Sequence, residues 1–155
     1  MAEGVTLAGE NALTLMEPLT KLAVEAGVAI LAINRNTMGL GKKIDGSVVS
    51  DADNLADAII AEGLAKLAPD IPVLSEERTH LAARPYRDSF FLIDPLDGTR
   101  EFVTGTDEFT VNIALVTRGE PVLGIVVAPA LGTVWRGIIG IGAERLLVTK
   151  DTTVY

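Results

Sequence analysis

The feature that most constrains this chain is an apolar run at residues 90–93, Phe-Phe-Leu-Ile, followed at once by Asp-Pro-Leu-Asp-Gly-Thr at residues 94–99. The run predicts a buried strand, and the Gly-Thr pair that closes the motif predicts a turn opening a short helix. The carboxylates of Asp94 and Asp97 therefore stand three residues apart where a strand meets a turn. Such a junction can present anionic oxygens to one metal ion while backbone N–H groups face a phosphate.

Hydrophobic periodicity predicts helices first and strands afterwards. Apolar residues at helical spacing predict one helix within residues 11–34 and a second that starts near Asn54 and ends before Pro69. Apolar runs predict strands at 73–74, 90–93, 109–116, 122–128 and 133–138, and the short turns between the last of them indicate an antiparallel meander. The sequence thus predicts a single α+β domain over residues 1–155, with two N-terminal helices packed on an antiparallel β-sheet. Residues 42–46 are expected to form a loop or a hairpin tip, and residues 78–88 a surface loop.

Composition narrows the classes of partner and site. The formal charge of −8 argues against a nucleic-acid polymer as partner, and the absence of cysteine excludes disulfides and thiolate metal sites. The N-terminus lacks a basic signal segment, and no apolar run is long enough to span a bilayer, so a cytoplasmic protein is expected. The mean hydropathy of +0.37 hints at apolar surface that meets a partner. The one tryptophan, Trp135, is expected in the sheet core.

The acidic residues upstream of the motif admit simple interpretations as well as a functional one. Glu76 and Glu77 follow the predicted strand at 73–74, so Glu76 can supply a third carboxylate, although a solvated loop pair looks the same in sequence. Asp51 or Asp53 is most simply the N-cap of the second helix. Asp-Pro and Asp-Gly are ordinary turn dipeptides. The joint occurrence of these groups, in this order and structural context, favours a metal site.

Three stretches of the chain together resemble one family. Ser-Asp-Ala-Asp at 50–53, Pro-Val-Leu-Ser-Glu-Glu at 72–77 and the motif at 94–99 resemble the inositol monophosphatase superfamily of lithium-sensitive, magnesium-dependent phosphomonoesterases. Residues 108–115 and 121–129 are similar to its CysQ-type branch, the 3′(2′),5′-bisphosphate nucleotidases. The resemblance implies the N-terminal half of the inositol monophosphatase-like fold. It also implies cleavage of 3′-phosphoadenosine 5′-phosphate to AMP and phosphate, with inositol phosphates and other sugar phosphates still open as substrates.

The resemblance also implies roles for individual residues. Two or more Mg²⁺ ions would be held by Glu76, Asp94, the Leu96 carbonyl and Asp97, with Asp94 between the ions. Asp53 and Thr99 would orient and help deprotonate the attacking water, and Glu76 would join them in the catalytic set. The backbone N–H groups of Gly98 and Thr99 would hold the substrate phosphate. Glu77 is a weaker candidate. Inhibition by Li⁺ is expected from the family.

The chain departs from the family pattern at its C-terminal side. Family members continue with a second α/β half that carries a Trp-Asp motif, whereas Trp135 is followed by arginine. We therefore expect either a fragment or a natural short form, with a site more open to water and lower activity. The face that normally meets the second half would be exposed, which predicts self-association.

Two other functions stay open from the sequence. A strand followed by Asp-Gly-Thr is also similar to haloacid-dehalogenase-type phosphatases, but their mechanism needs two aspartates two residues apart, and Asp94 and Asp97 are three apart. The other alternative is a metal-binding remnant that folds and self-associates without catalysing a reaction.

Overall fold

The computed structural model describes residues 2–42, 48–81 and 88–149 of the chain. Its helices are α1 (Ala2–Leu31), α2 (Asp51–Leu67) and α3 (Thr99–Thr104), with short 3₁₀ segments at Glu76–Leu81 and Pro129–Leu131. Its strands are β1 (Leu40–Lys42), β2 (Val48–Ser50), β3 (Val73–Ser75), β4 (Ser89–Asp97), β5 (Thr110–Thr117), β6 (Glu120–Ala128), β7 (Thr133–Ile138) and β8 (Gly142–Leu147). The loops predicted at 42–46 and 78–88 lie largely outside the described residues.

The main sheet contains six strands in the order β3-β4-β5-β6-β7-β8. From β4 to β8 every neighbouring pair is antiparallel, as the meander prediction requires. The expectation of a wholly antiparallel sheet is wrong at one edge, because β3 pairs with β4 in parallel. The reason is the long connection between Ser75 and Ser89, which brings the chain back so that β4 starts beside the start of β3 and runs in the same direction. Strand β8 was not predicted. Strands β1 and β2 pair antiparallel on either side of residues 43–47, in agreement with the hairpin alternative for residues 42–46.

The two long helices cover one face of this sheet. On both helices the buried residues recur every three or four positions. On α2 they include Ala56, Ile60 and Leu64, each at most 1% exposed. Gly63 permits close contact of the helices, since a methyl group there would meet the side chain of Leu22. The sheet contributes alternating residues such as Ile113 and Ile125 to the same core. The predicted arrangement of two helices on a sheet is confirmed.

The opposite face of the sheet is left open by the described residues. Leu92, Val126 and Trp135 point to this side and keep 44%, 37% and 41% of their surface exposed. Trp135 pairs in register with Val126 on β6 and Arg145 on β8, so all three side chains share the open face. The prediction that Trp135 lies in the sheet core is therefore wrong. Sequence alternation gives the two faces of β7 but does not say which of them the helices cover.

Candidate active site

A β-bulge lies inside the acidic motif at the end of β4. Asp94 pairs with Asn112 and Asp97 pairs with Thr110, so three steps along β4 oppose two steps along β5. Asn112 and Thr110 project from the same face of β5, and therefore Asp94 and Asp97 also project from one face. In a regular strand two residues three apart would point to opposite faces. Two consecutive residues, Pro95 and Leu96, thus lie opposite the single residue Val111, and Pro95 has no N–H for the strand ladder.

The bulge turns both carboxylates toward the open face of the sheet. Pro95 and Leu96 are consecutive and both buried, while Asp97 is exposed and Asp94 partly exposed. Because Leu96 is held in the core with only 2% exposure, its backbone is fixed between the two aspartates. The motif therefore supplies two carboxylates and one carbonyl from a short, anchored segment.

Gly98 joins the bulge to α3 in a conformation that other residues rarely adopt. Its φ is +92°, in the left-handed region. A methyl group at this position would also lie 2.6 Å from the carbonyl oxygen of Glu108. Both the backbone angle and the space thus require glycine. The short helix predicted after the turn of the Gly-Thr pair is confirmed as α3, which begins at Thr99.

The side chains of Asp53 and Thr99 are directly hydrogen-bonded. Thr99 Oγ1 donates to Asp53 Oδ1 at 2.7 Å, and it lies 3.3 Å from the Leu96 carbonyl oxygen. Asp53 is fully buried at the start of α2. This contact joins α2 to α3 across 46 positions of sequence. The two residues that the family resemblance pairs are therefore adjacent, while their part in catalysis stays a prediction.

The second oxygen of Asp53 is occupied by the helix cap. Asp53 Oδ2 accepts from the backbone N–H of Ser50 at 2.8 Å and from its hydroxyl at 2.7 Å, and Ser50 Oγ in turn accepts from Asp53 N–H. This is a capping box in which Ser50 is the N-cap of α2. The N-cap interpretation of Asp51 or Asp53 is therefore wrong. Asp51 instead accepts from the N–H of Gly39 at 2.7 Å.

Glu76 and Asp94 line the same cavity on the open face. The parallel pairing aligns Ser75 with Ile93, which brings the next residues, Glu76 and Asp94, side by side at the end of β3 and β4. The cavity has a volume of about 490 Å³, and its walls are apolar apart from these carboxylates and Asn112. The structure thus brings together two of the three carboxylates that the sequence predicts as metal ligands.

The predicted ligands have the right chemistry for a hard divalent cation, but in this structure their oxygens do not converge on one position. All are carboxylate or carbonyl oxygens, the donors that Mg²⁺ prefers. Among the residues that the structure describes, no three acidic or histidine side chains form a compact cluster able to hold a metal ion. Carboxylates repel one another and converge when a cation stands between them. The roles of Glu76, Asp94, Leu96, Asp97, Gly98 and Thr99 in metal and phosphate binding therefore stay predictions.

Two further residues near the site were missed by the sequence analysis. Asp57, one turn after Asp53 on α2, is buried and contacts Ser75 and Arg78 on either side of the Glu76-Glu77 pair. Arg35 lies over the ring of Phe102 in α3, with 4.6 Å between the guanidinium carbon and the ring centroid. Asp57 carries a usable signal, since acids four residues apart share one helix face. No pattern in the sequence indicates the Arg35 contact.

Comparison with known proteins assigns the chain to a family. The profile of the inositol monophosphatase family matches residues 14–151. The 3′(2′),5′-bisphosphate nucleotidase CysQ of Salmonella typhimurium is 47% identical over 120 residues, which cover 76% of this chain and 49% of that protein. The chain spans about half the length of the curated relatives it matches. The resemblance drawn from the three sequence stretches is confirmed.

Solved structures agree with this assignment. The extragenic suppressor protein suhB from Bartonella henselae matches with a TM-score of 0.77 and 28% identity, over 85% of this chain and 52% of that one. CysQ from Bacteroides thetaiotaomicron, a bacterial member of the inositol monophosphatase family, matches with a TM-score of 0.64 and 30% identity, over 90% and 49% of the two chains. The predicted fold class is confirmed.

No helix in the described part of the chain combines the length and the apolar character that crossing a membrane requires.

Proposed function

Because the chain belongs to the inositol monophosphatase family, we propose that it supplies the metal-binding and water-activating part of a Mg²⁺-dependent phosphomonoesterase. The observation that carries the proposal is the hydrogen bond between Thr99 and the buried Asp53, immediately beside the bulged acidic motif. The proposed substrate is a nucleoside 3′(2′),5′-bisphosphate, as the names of the curated relatives suggest. A cytoplasmic location remains a prediction from the sequence.

The proposed metal ligands are oxygens from two neighbouring strands. Asp94, the Leu96 carbonyl and Asp97 come from the end of β4, and Glu76 comes from the end of β3. Bound Mg²⁺, in two or more positions, would lower the pKa of a coordinated water and stabilise negative charge on the phosphate. Inhibition by Li⁺ is proposed on the family resemblance alone.

Thr99 and Asp53 are proposed to take the proton of the attacking water. Thr99 Oγ1 gives its own hydrogen to Asp53, so its lone pairs remain available to a water molecule. As the water oxygen forms a bond to phosphorus, its proton passes to Thr99 Oγ1 and the threonine proton passes to Asp53 Oδ1. The ester P–O bond breaks, and the leaving oxygen takes a proton from solvent. Asp53 Oδ2 is engaged by Ser50, which leaves Oδ1 as the accepting atom.

Gly98 supports this chemistry through its backbone. Its left-handed conformation turns the chain sharply after Asp97, where β4 ends and α3 begins. The N–H groups of Gly98 and Thr99 therefore lie at this turn, next in the chain to the carboxylates. Their proposed role is to donate hydrogen bonds to the substrate phosphate. An absent side chain at this residue also lets a phosphate approach the backbone closely.

The direct test is phosphate release by the purified chain. We expect Mg²⁺-dependent release from 3′-phosphoadenosine 5′-phosphate, faster than from inositol 1-phosphate, and lost in Asp94→Asn. Asp70→Asn is the matched control, because Asp70 is an exposed acid in the turn after α2. Equal rates for the unchanged chain and Asp94→Asn would contradict the proposal. Faster release from inositol 1-phosphate would favour a sugar phosphatase of the inositol monophosphatase type.

We also propose that the chain self-associates through the open face of the sheet, with a second copy as the occupant. One row across this face runs from Asp94 on β4 through Val126 and Trp135 to Arg145 on β8. A second copy rotated by half a turn about the strand direction would place acidic edge against basic edge, with the apolar residues packed between them. Because this interface would cover the cavity lined by Glu76 and Asp94, the proposed phosphatase is the monomeric chain, and the self-associated form corresponds to the inactive alternative.

A further inference from the structure

The turn that carries Glu76 and Glu77 is held from both sides by one buried carboxylate, that of Asp57. Its Oδ1 accepts from Ser75 Oγ at 2.5 Å and from Arg78 Nη2 at 3.2 Å. Its Oδ2 lies 2.9 Å from Arg78 Nε, an ion pair in which that N–H is not well directed for a hydrogen bond. Ser75 and Arg78 stand immediately before and after the acidic pair, so Asp57 contacts both of its flanks.

The link continues from Asp57 into the backbone of the acidic pair. Ser75 Oγ, which donates to Asp57, accepts from the N–H of Glu77 at 3.2 Å. Strand β3 offers little other support, because it is three residues long and lies at the edge of the sheet. The hydrogen bonds that Asp57 accepts from Ser75 and Arg78 therefore supply an anchor that the strand ladder does not.

Helix α2 connects this anchor to the Asp53–Thr99 pair. Asp53 and Asp57 are four residues apart, so they lie on one face of the helix about 6 Å apart along its axis. Asp53 holds Thr99 at the start of α3, while Asp57 holds the turn after β3. A helix is stiff over a single turn, which fixes the spacing between the two attachments.

We propose that Asp57 is a positioning residue that sets the Glu76-Glu77 turn at a fixed distance from the Asp53–Thr99 pair. Asp57 does not itself contact the reacting atoms. It acts through Ser75 and Arg78. Helix α2 serves as the rigid spacer between the Asp53–Thr99 pair and the Glu76-Glu77 turn that follows β3. The benefit for metal binding rests on the proposed function, whereas the anchoring of the turn does not.

Amide hydrogen exchange tests the anchoring directly. In Asp57→Asn the N–H of Glu77 should exchange about tenfold faster than in the unchanged chain, because asparagine lacks the charge and one of the two acceptor oxygens, so that Ser75 Oγ and Arg78 are held less firmly. Ser75→Ala removes the Oγ that accepts from the Glu77 N–H and keeps the buried carboxylate of Asp57, so exchange at Glu77 should rise at least as much. It serves as the second variant if Asp57→Asn does not fold. Glu62→Gln is the matched control on α2, because Glu62 is exposed and pairs with Lys66. Unchanged exchange at Glu77 in a folded Asp57→Asn, or in Ser75→Ala, would overturn the proposal.

Titration with Mg²⁺ alone, followed by calorimetry, tests the consequence for the site. Asp57→Asn should weaken Mg²⁺ binding about tenfold, and Glu62→Gln should not change it. Arg78→Lys should restore part of the affinity that Arg78→Met loses, because lysine keeps the charge. A variant that loses stability but binds Mg²⁺ as tightly as the unchanged chain would contradict positioning. If exchange responds and the unchanged chain binds no Mg²⁺, the proposed function fails and the anchor stands.

Discussion

Arg136 on β7 forms an ion pair with Glu17 on α1, with 2.7 Å between Nη2 and Oε1. Glu144 on β8 pairs with the same nitrogen at 2.7 Å, and Thr20 on α1 accepts from Nη1 at 3.0 Å. The hydrogen bond from Arg136 lowers the pKa of Glu17, against an opposing effect of burial. Burial works to lower the pKa of Arg136, but the hydrogen bonds to Glu17 and Glu144 raise it. The first helix is thus joined to the far strands of the sheet by one cation.

Replacing Glu17 by glutamine should destabilise the fold in a pH-dependent way. A carboxyl group whose pKa is lower in the folded state stabilises it above the ordinary value of 4.5 and loses that effect as pH falls through the folded pKa. The side chain of Glu17 is 71% exposed and Glu144 remains in place, so the loss at pH 7 should be below about 1 kcal/mol. Urea unfolding of both proteins at pH 7 and near pH 4 measures this. A difference that does not shrink in acid would contradict it.

Gly98→Ala should cost more stability than a substitution at another glycine of the same conformation. Gly119 has a φ of +82° with open space around its Cβ position, whereas Gly98 has a φ of +92° and the Glu108 carbonyl at 2.6 Å. Gly119→Ala should therefore lose about 1 kcal/mol from backbone strain, and Gly98→Ala about 2–3 kcal/mol from strain and overlap together. Urea midpoints compare the two. Equal losses would mean that the backbone moves away from Glu108 at little cost.

Thr99→Val should abolish most phosphatase activity while the chain stays folded. Valine keeps the shape of threonine but cannot pass a proton to Asp53, so kcat should fall by about 10²–10⁴-fold. Thr99→Ser keeps the hydroxyl and should retain most of the rate. Thr104→Val is the matched control, because the Thr104 hydroxyl donates to backbone carbonyls of its own helix, those of Arg100 and Glu101. Loss of the rate in Thr104→Val as well would point to damage to α3 rather than to proton transfer.

Trp135→Glu should keep the chain monomeric if the open face mediates association. The variant removes a large apolar side chain from the middle of the prospective interface and adds a carboxylate that would compete with Asp94 of the second copy for Arg145. Leu67→Glu is the control, because Leu67 at the end of α2 is similarly exposed, 39% against 41% for Trp135. Sedimentation over a range of protein concentrations compares the three chains. A single monomeric species for the unchanged chain would refute the interface.

Much of the fold follows from local sequence patterns. The period of apolar residues gives both long helices, and alternation gives β5, β6 and β7 close to their observed limits. The parallel pairing of β3 with β4 does not follow, because it depends on where the connection returns the chain. Strand β8, Gly142–Leu147, escapes prediction for another reason: most of its side chains are exposed, so no apolar pattern indicates it.

The sequence predicts which residues belong to the candidate site, but it does not predict the contacts between them. The pairing of Asp53 with Thr99 comes from the family resemblance, since 46 positions separate them. Ser50 as the helix cap was missed because serine and aspartate are both good caps and the sequence offers several in a row. Asp57 was missed because a buried acid and a surface acid look alike until their partners, Ser75 and Arg78, are known.

The bulge between Asp94 and Asp97 makes the length of this short segment as important as its chemistry. At the present length, even pairing of β4 with β5 would turn one of the two carboxylates under the sheet toward the helices. Deleting one residue there would leave the acids two residues apart opposite two steps of β5, so both would still project from one face, with one buried residue between them in place of two. The register shift is therefore what lets two consecutive core residues stand between acids that share a face.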